Sequence, residues 1–424
     1  MNESFLHYIW QFQYFDKENL VSSDDESLSV IKTGTPNSDA GPDFFNAKIK
    51  IDGIEWAGNV EIHIKSSDWN AHHHERDPAY YNVVLHVVWE DDRPVYLKDT
   101  VLPTLELRNR VDLSLLQNYR KLVQSTTPIA CEKTFPNVEE IIKLSMLDKA
   151  LMQRLEAKAS QVTDLLRYNK GDWEETTHQL LAKNFGFKVN ADTFFQLSKS
   201  LPYKIIQKQS SLLQVEALLF GQAGMLETKT KDEYITALFT EYNLLTQKYA
   251  FGNLRLNPGQ WKFLRLRPAN FPTVRIAQFA SMLYHVRSIF SFLTSVRSYA
   301  EICRLFARPQ SSYWKSHYRF GKKATGEVPS LGESSIQNIV INTVAPLLVA
   351  YGKYKDDDVY IERAVEFLQQ LPAENNTITR EWNDLGIKVN NAFDSQALLE
   401  LHNSFCQRRQ CLNCAIGIAI LKPL

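Results

Sequence analysis

A chain of 424 residues exceeds what one compact core usually supports, so its length predicts two or three domains. With 44% hydrophobic and 23% charged residues, its composition excludes a disordered or fibrous chain. The formal net charge is zero, but residues 1–130 hold 12 Lys and Arg against 20 Asp and Glu, and the remainder holds 36 against 28. An acidic first part suits a cation site and a basic remainder suits contact with phosphates, although compositional drift would give the same asymmetry.

The N-terminal sequence MNESFLHYIW has neither the basic start nor the long apolar stretch of a signal peptide. No run approaches the roughly 18 uncharged apolar residues that a membrane-spanning helix needs. We therefore expect a cytoplasmic protein without membrane contact.

The first 110 residues are typical of strands. Residues 47–54 alternate apolar and polar side chains, and Asp52-Gly53 predicts a hairpin turn before a second strand at 56–66. A valine-rich strand is predicted at 82–90 and one or two more at 93–108, with a short amphipathic helix over 3–15 before the sheet.

From about residue 137 the pattern becomes helical. The strongest apolar periodicity predicts helices at 142–166, 212–226, 231–249, 274–307 and 336–351. The fold class expected is α+β: a strand-rich domain at 1–130, a large all-helical domain at 137–395 and a cysteine-containing segment at 396–424.

The strand at 56–66 carries an unusual polar face. Alternate residues on a strand point the same way, so Glu61, His63 and Lys65 share one face while the apolar residues between them share the other. Asp43 follows Gly41-Pro42 just before the neighbouring strand and is expected beside this row.

An aspartate after a proline, then a hairpin, then an acid and a lysine on the next strand resembles the PD-(D/E)xK phosphodiesterases, including RecB-like nucleases. The resemblance implies a restriction-endonuclease-like mixed sheet. It also implies Mg²⁺ or Mn²⁺ bound by Asp43 and an acid, Lys65 beside the attacking water or the phosphate, and Tyr80 or Tyr81 as a further motif residue.

The match departs from that family at His63, which stands two residues before the lysine where an acid is expected. Glu61 could supply the missing carboxylate, and the imidazole would favour softer ions such as Mn²⁺ or Zn²⁺. Two other interpretations stay open. One is a half-exposed strand whose charges pair with each other, and the other is a zinc hydrolase using His63, His86 and one of His72–His74.

Three cysteines crowd the C-terminus in LHNSFCQRRQCLNCAIG, namely Cys406, Cys411 and Cys414. In a reducing compartment such spacing favours metal binding over disulfides. Some RecB-like nucleases close their nuclease domain with three C-terminal cysteines and one upstream. By that resemblance Cys131 would complete a zinc or iron–sulfur site, with Cys303 and His402 as rivals. Buried thiols without metal are the alternative.

The basic part contains WKFLRLRPANFPTVRIAQFA, in which cations alternate with aromatic rings. Single-stranded nucleic acid is bound by such cations and rings, although rings at helical spacing are more often core residues. The candidate contacts to DNA or RNA are Lys262, Arg265, Arg267 and Arg275.

Over nearly the whole chain, GDWEETTHQLLAKNFGFKVNADTF, VEALLFGQAG and RLRPANFPTVRIAQFA are similar to an uncharacterised bacterial family known only as a domain of unknown function. That resemblance implies no activity. From the residues we expect a metal-dependent phosphodiesterase acting on nucleic acid, with Asp43, Glu61, His63, Lys65 and Tyr80 at its site. The alternatives are a non-catalytic nucleic-acid-binding or scaffold protein, and the zinc hydrolase.

Overall fold

The computed structural model describes residues 2–37, 39–226, 231–251 and 254–422, and it is a mixed α+β protein. It divides into two compact units, of which the first comprises Met1–Leu147 with Leu401–Leu424 and the second comprises Asp148–Glu400. The C-terminal segment, expected to stand apart from residue 396, therefore groups with the strand-rich unit.

The main sheet of the first unit has the order β1-β3-β4-β5-β8, with β2 paired to β3. Neighbours pair antiparallel from β1 to β4, whereas β4, β5 and β8 run parallel to one another. The strands are β1 (Leu28–Lys32), β2 (Thr35–Pro36), β3 (Phe44–Ile51), β4 (Ile54–Lys65), β5 (Val83–Glu90), β6 (Tyr96–Leu97), β7 (Thr100–Val101), β8 (Thr104–Glu106), β9 (His317–Arg319) and β10 (Lys322–Lys323).

The predicted hairpin turn at Asp52-Gly53 is confirmed. Ile51 pairs with Ile54, and the two residues between them have φ values of 45° and 85°. A two-residue hairpin of this type requires positive φ at both central positions, which Asp-Gly supplies at little cost. The turn therefore fixes the register between β3 and β4.

Both faces of β4 are covered where it carries its polar residues. Val60 and Ile62 lie in the hydrophobic core of the first unit, as the alternation predicts. Glu61 and His63 point to the opposite face, yet they are only 5% and 1% exposed. The connection from β4 to β5, which contains the buried Trp69, brings further histidines to the same region as those two side chains. This polar face is therefore internal.

Helices make up most of the second unit. The first unit has helices of its own beside its sheet. The helices of the two units are α1 (Glu3–Phe12), α2 (Asp68–Ala71), α3 (Leu113–Gln124), α4 (Glu140–Tyr168), α5 (Trp173–Phe185), α6 (Phe187–Ser200), α7 (Tyr203–Ile206), α8 (Leu212–Gln222), α9 (Glu233–Tyr249), α10 (Pro272–His285), α11 (Ile289–Ser295), α12 (Tyr299–Phe306), α13 (Glu333–Ile339), α14 (Ala345–Lys355), α15 (Val359–Gln370), α16 (Thr377–Asp384), α17 (Ala392–Glu400) and α18 (Ala415–Leu421).

The single long helix predicted over 274–307 is wrong. The chain forms α10, α11 and α12 there, and it leaves the helix after His285 and again after Ser295. Neither break contains Gly or Pro, so the usual helix-breaking residues do not indicate where the helix ends. The second break does carry a capping signal, because the Ser298 side chain accepts from the Glu301 N–H at the start of α12.

One continuous helical stretch, Glu333–Lys355, is long and apolar enough to cross a membrane by length and composition. It comprises α13, a π-helical segment at Val340–Val344, and α14. Its most apolar window is 72% buried inside the protein, as in the core helix of a folded domain.

Candidate metal centre

Four imidazoles meet on the polar face of β4 and form what we call the histidine cluster (His63, His72, His74 and His86). His63 Nε2 lies 3.1 Å from His72 Nδ1, and His63 Nδ1 lies 2.9 Å from His86 Nε2. One nitrogen from each of His63, His72 and His74 falls within 4.8 Å of the others. Ligands of a tetrahedral zinc ion are about 3.4 Å apart, given Zn–N bonds of about 2.1 Å. The three imidazoles are therefore close to the spacing of one metal ion.

Local backbone geometry selects which of the three consecutive histidines take part. His73 has a φ of 63°, the left-handed region, so the chain reverses between its neighbours. His72 and His74 both contact His63; His74 is buried, whereas His72 and His73 are exposed. Residues two apart share a face on a strand but not in a helix, so the turn at His73 allows both imidazoles to reach His63 in a segment that is not a strand.

Two carboxylates lie beside the imidazoles. Glu61 Oε1 is 3.3 Å from His74 Nε2 and 3.7 Å from His63 Nε2, and Glu61 Oε2 accepts a hydrogen bond from the Asp43 N–H at 3.0 Å. Asp43 Oδ2 in turn accepts from the Ile62 N–H at 2.9 Å. The predicted proximity of Asp43 to the strand that carries Glu61 is thus seen in the structure.

A third group joins the acids from helix α1. His7 Nε2 is 3.2 Å from Asp43 Oδ2. Burial opposes protonation of His7, yet the hydrogen bond and the charge of Asp43 raise its pKa above the usual value. Sequence reasoning missed this histidine, because nothing local links it to the strand pair.

Burial dominates the electrostatics of the cluster. It lowers the pKa of His63 to about 2, with smaller contributions from His86, His74 and His72, and it lowers the pKa of His86 to about 3. Burial also raises the pKa of Glu61. The two imidazoles are therefore neutral at physiological pH, which is the form that binds metal.

His86 fixes the proton positions around His63. If His63 is neutral and its Nε2 lone pair faces the centre, its proton sits on Nδ1 and is donated to His86 Nε2. His86 then keeps its own proton on Nδ1, a buried atom without a hydrogen-bond partner in the described structure. His86 thus orients His63 from behind instead of completing the centre.

Aromatic side chains hold the cluster in place. Tyr80 stacks on His74 with ring centroids 3.8 Å apart, and Trp69 contacts the rings of His74, Tyr80 and His86 at 5.4, 6.0 and 5.5 Å. Burial raises the pKa of Tyr80 to about 12. The ring of Tyr80 therefore packs against a candidate ligand at the predicted site.

Lys65 lies apart from the acids on the same strand. It is exposed, its backbone N–H donates to Asp68 Oδ2, and its charge helps to lower the pKa of Asp92. The four-residue separation from Glu61 corresponds to about 13 Å along a strand. The described residues show no contact between the Lys65 ammonium and either acid, so the predicted acid–lysine arrangement is not assembled around one point.

The donor set fits a transition-metal ion. His74 Nε2 is a buried nitrogen that lies 3.3 Å from Glu61 Oε1, so an imidazole and a carboxylate are adjacent there. Imidazole nitrogens with a neighbouring carboxylate suit Zn²⁺ or Mn²⁺ better than Mg²⁺, which prefers oxygen ligands. His63, His72 and His74 would hold such an ion, and Glu61 is the carboxylate within reach.

The predicted cysteine group (Cys131, Cys406, Cys411 and Cys414) lies wholly in the first unit. Burial, with smaller contributions from neighbouring thiols, raises the pKa of Cys131 to about 12 and of Cys411 to about 11. Arg409 Nη2 donates to the carbonyls of Ser125 and Thr127 and so joins the C-terminal loop to the chain before Cys131.

Of the two rivals for the fourth position, Cys303 belongs to the second unit. His402 lies in the first unit, and its Nε2 is 3.3 Å from the side-chain nitrogen of Gln407. Cys131 and His402 both lie in the same unit as the three C-terminal thiols, and Cys303 does not.

The four basic residues predicted to bind nucleic acid differ in exposure. Lys262, Arg265 and Arg267 are exposed on the segment before α10. Arg275 is only 6% exposed and lies inside the second unit, because it occupies the core-facing side of α10. It is not a surface cation.

Comparison with known proteins identifies the chain at the level of its family. A model described as "Protein of unknown function (DUF2851)" matches residues 3–377. No curated protein matches the chain, and no solved structure matches it.

Proposed function

Since the chain belongs to the DUF2851 family, whose description names no activity, we propose from the site itself that it is a metal-dependent hydrolase acting on phosphodiesters of nucleic acid. The observation that carries the proposal is the convergence of His63, His72 and His74 within 4.8 Å, beside Glu61. Three imidazole nitrogens and a carboxylate at this spacing can all contact one metal ion.

The three histidines would bind the metal ion. Glu61 would accept a proton, and Asp43 would hold Glu61 in position. A bound ion of this kind lowers the pKa of a water molecule and offsets charge on a phosphate. Glu61 Oε1 faces the imidazoles while Oε2 is held by the Asp43 N–H, so one oxygen remains available to accept a proton. His86 keeps His63 in the required tautomer.

Two features support a phosphodiester as the substrate. The sequence around Asp43 and β4 resembles PD-(D/E)xK phosphodiesterases, and the Asp43 N–H donates a hydrogen bond to Glu61. The remainder of the chain carries an excess of basic residues, including the exposed Lys262, Arg265 and Arg267. The position of Lys65 argues for a centre based on imidazole instead of on the family's lysine.

The test pairs metal analysis with cleavage of labelled single- and double-stranded DNA and RNA in Mn²⁺, Zn²⁺ or Mg²⁺. We compare wild type with His72→Ala, using His73→Ala as the matched control because His73 is the adjacent residue that faces away. We expect about one metal ion per chain and metal-dependent cleavage in wild type and in His73→Ala, and loss of both in His72→Ala.

Other outcomes overturn specific parts of the proposal. Stoichiometric metal without cleavage of any nucleic acid would refute the phosphodiesterase and favour the zinc hydrolase of another substrate, which the same convergence supports. No bound metal in folded wild type would refute the centre and favour a non-catalytic scaffold. Loss of cleavage in Lys65→Ala with metal retained would show that Lys65 takes part in catalysis.

We also propose that the cysteine group holds a structural metal, either zinc or an iron–sulfur cluster. Four thiols drawn from both ends of the first unit would join the C-terminal segment to residue 131. Anaerobic purification followed by iron, sulfide and zinc analysis tests this. Cys406→Ser should lose the metal while Cys303→Ser, in the other unit, should keep it.

A further inference from the structure

The second unit contains a cavity of about 360 Å³ where α5 and α6 meet the segment before α10 and the start of α13. We call it the Arg275 cavity. Its volume lies in the range of small-molecule pockets, roughly 300–1,000 Å³. Its walls combine aromatic and aliphatic side chains with neutral polar ones and a single charged group. They include Phe185, Phe187, Phe194, Arg275, Ser335 and Asn338.

Arg275 is that charged group, and its hydrogen-bond partners are all neutral. Its Nη1 donates to Gln278 Oε1 at 3.0 Å, and its Nη2 donates to Asn270 Oδ1 at 2.6 Å and Ser335 Oγ at 3.1 Å. Its guanidinium also lies over the ring of Phe187, 4.6 Å from the centroid. These contacts fix the orientation of the guanidinium but do not neutralise its charge.

No carboxylate forms an ion pair with Arg275 among the described residues. A guanidinium has five N–H donors, of which three are engaged here, and Nε is buried without a partner. Burial lowers the pKa of Arg275 to about 10, still far above neutrality. A buried and unpaired cation costs several kcal/mol unless an anion accompanies it. The site thus lacks one negative charge.

The backbone around the cavity is also unusual. Phe187 has a φ of 48°, a region that non-glycine residues seldom adopt, and Asn190 interrupts the helix that follows. The Asn190 side chain donates to the carbonyl of Lys262 and accepts from its N–H, so it holds the segment leading to Leu266 against the cavity. Strain of this kind persists where surrounding contacts enforce it and is concentrated at binding sites.

We propose that the Arg275 cavity binds a small phosphate-bearing molecule, with the phosphate beside Arg275 and an apolar or aromatic body against the phenylalanine walls. Guanidinium suits the several oxygens of a phosphate, and Ser334, Ser335 and Asn338 add neutral donors without a competing acid. The inference concerns the second unit alone and does not rest on the metal centre.

The experiment measures binding of phenyl phosphate, inorganic phosphate and phenol to the full chain by calorimetry and thermal shift. We expect phenyl phosphate to bind at least ten times more tightly than inorganic phosphate, and phenol to bind least. Equal binding of the two phosphates would mean that the site takes free phosphate, which would overturn the part of the proposal that concerns the apolar body.

Two substitution pairs locate the binding. Arg275→Gln should abolish phosphate binding, whereas Arg304→Gln, at an exposed arginine of α12, should leave it unchanged. If Arg275→Gln does not fold, Ser334→Asp places a negative charge on the exposed rim and should weaken binding at least tenfold, with Ser334→Asn as its neutral control. Unchanged binding in Ser334→Asp, or no binding by wild type at millimolar ligand, would overturn the proposal.

Discussion

The histidine cluster and the Arg275 cavity are both polar, but they differ in the charge of their groups. In the cluster, imidazole nitrogens and a carboxylate lie within reach of one another. In the cavity, a guanidinium has hydrogen bonds to neutral partners, and no carboxylate pairs with it among the described residues. Since buried groups are stable only when compensated, the proposed ligands are a metal ion for the first region and a phosphate for the second.

The two regions also draw on different lengths of chain. The cluster uses one strand, the connection after it and the next strand, from His63 to His86. The cavity is lined by residues from Phe185 to Asn338, which belong to several helices and loops. We therefore expect a substitution in the histidine cluster to change metal binding and to leave phosphate binding at the Arg275 cavity unchanged.

The largest effect is expected for His63→Ala, because His63 contacts each of the other three histidines of the cluster. Metal affinity should fall at least 100-fold, and the thermal stabilisation that wild type gains from added Zn²⁺ should vanish. Differential scanning calorimetry with and without metal measures this. Phosphate binding at the Arg275 cavity should stay intact, and its loss would show that the two regions are not independent.

A smaller but substantial effect is expected for Trp69→Ala. This fully buried ring contacts His74, Tyr80 and His86, so its removal should cost about 3–5 kcal/mol in the free energy of unfolding and loosen the cluster. Urea unfolding measures the first effect and metal titration the second. Trp69→Phe keeps an aromatic ring and should lose less than half as much. Equal losses would contradict the packing role.

Glu216 in α8 offers a third comparison, because it is a buried acid with a neutral hydrogen-bond partner. Its Oε2 accepts from the Tyr234 hydroxyl at 2.8 Å, and burial raises its pKa to about 7 from an ordinary 4.5. The folded state therefore holds this proton more tightly than the unfolded state does. Glu216 should cost no stability below pH 4.5 and should destabilise progressively from pH 4.5 to 7, by about 3 kcal/mol in total.

Glu216→Gln should remove that part of the pH dependence of the unfolding free energy. Urea unfolding between pH 4.5 and 8 measures it, with Glu233→Gln, an exposed acid at the start of α9, as the control. A wild-type slope that persists in Glu216→Gln would show that the carboxyl is already ionised in the folded protein.

The smallest effect is expected for Tyr80→Phe. The ring stacks on His74 and survives this change, so metal affinity should shift by less than threefold. If the Tyr80 hydroxyl took part in catalysis, as the nuclease resemblance implies, cleavage would fall more than tenfold at unchanged metal content. That result would move Tyr80 from a packing to a catalytic role.

Local patterns in the sequence predicted much of the first unit. The turn at Asp52-Gly53 and the alternation along β4 depend on residues close in the chain, and both were correct. The helix boundaries within 274–307 were missed because Ser and Arg at the breaks are common inside helices too. The resemblance to nucleases implied that Lys65 lies with the acids, whereas strand alternation fixes only the face of a strand and not the distance along it.

The sequence by itself determined the hairpin, the apolar and polar faces of β4, and the gathering of histidines within one short stretch, since each follows from side-chain order on a local backbone. Only the tertiary structure decided that His72 and His74 contact His63, because that depends on how the connection after β4 folds back against the strand. It also decided that Arg275 is buried, because the packing of other helices and not the residue's own charge sets its exposure.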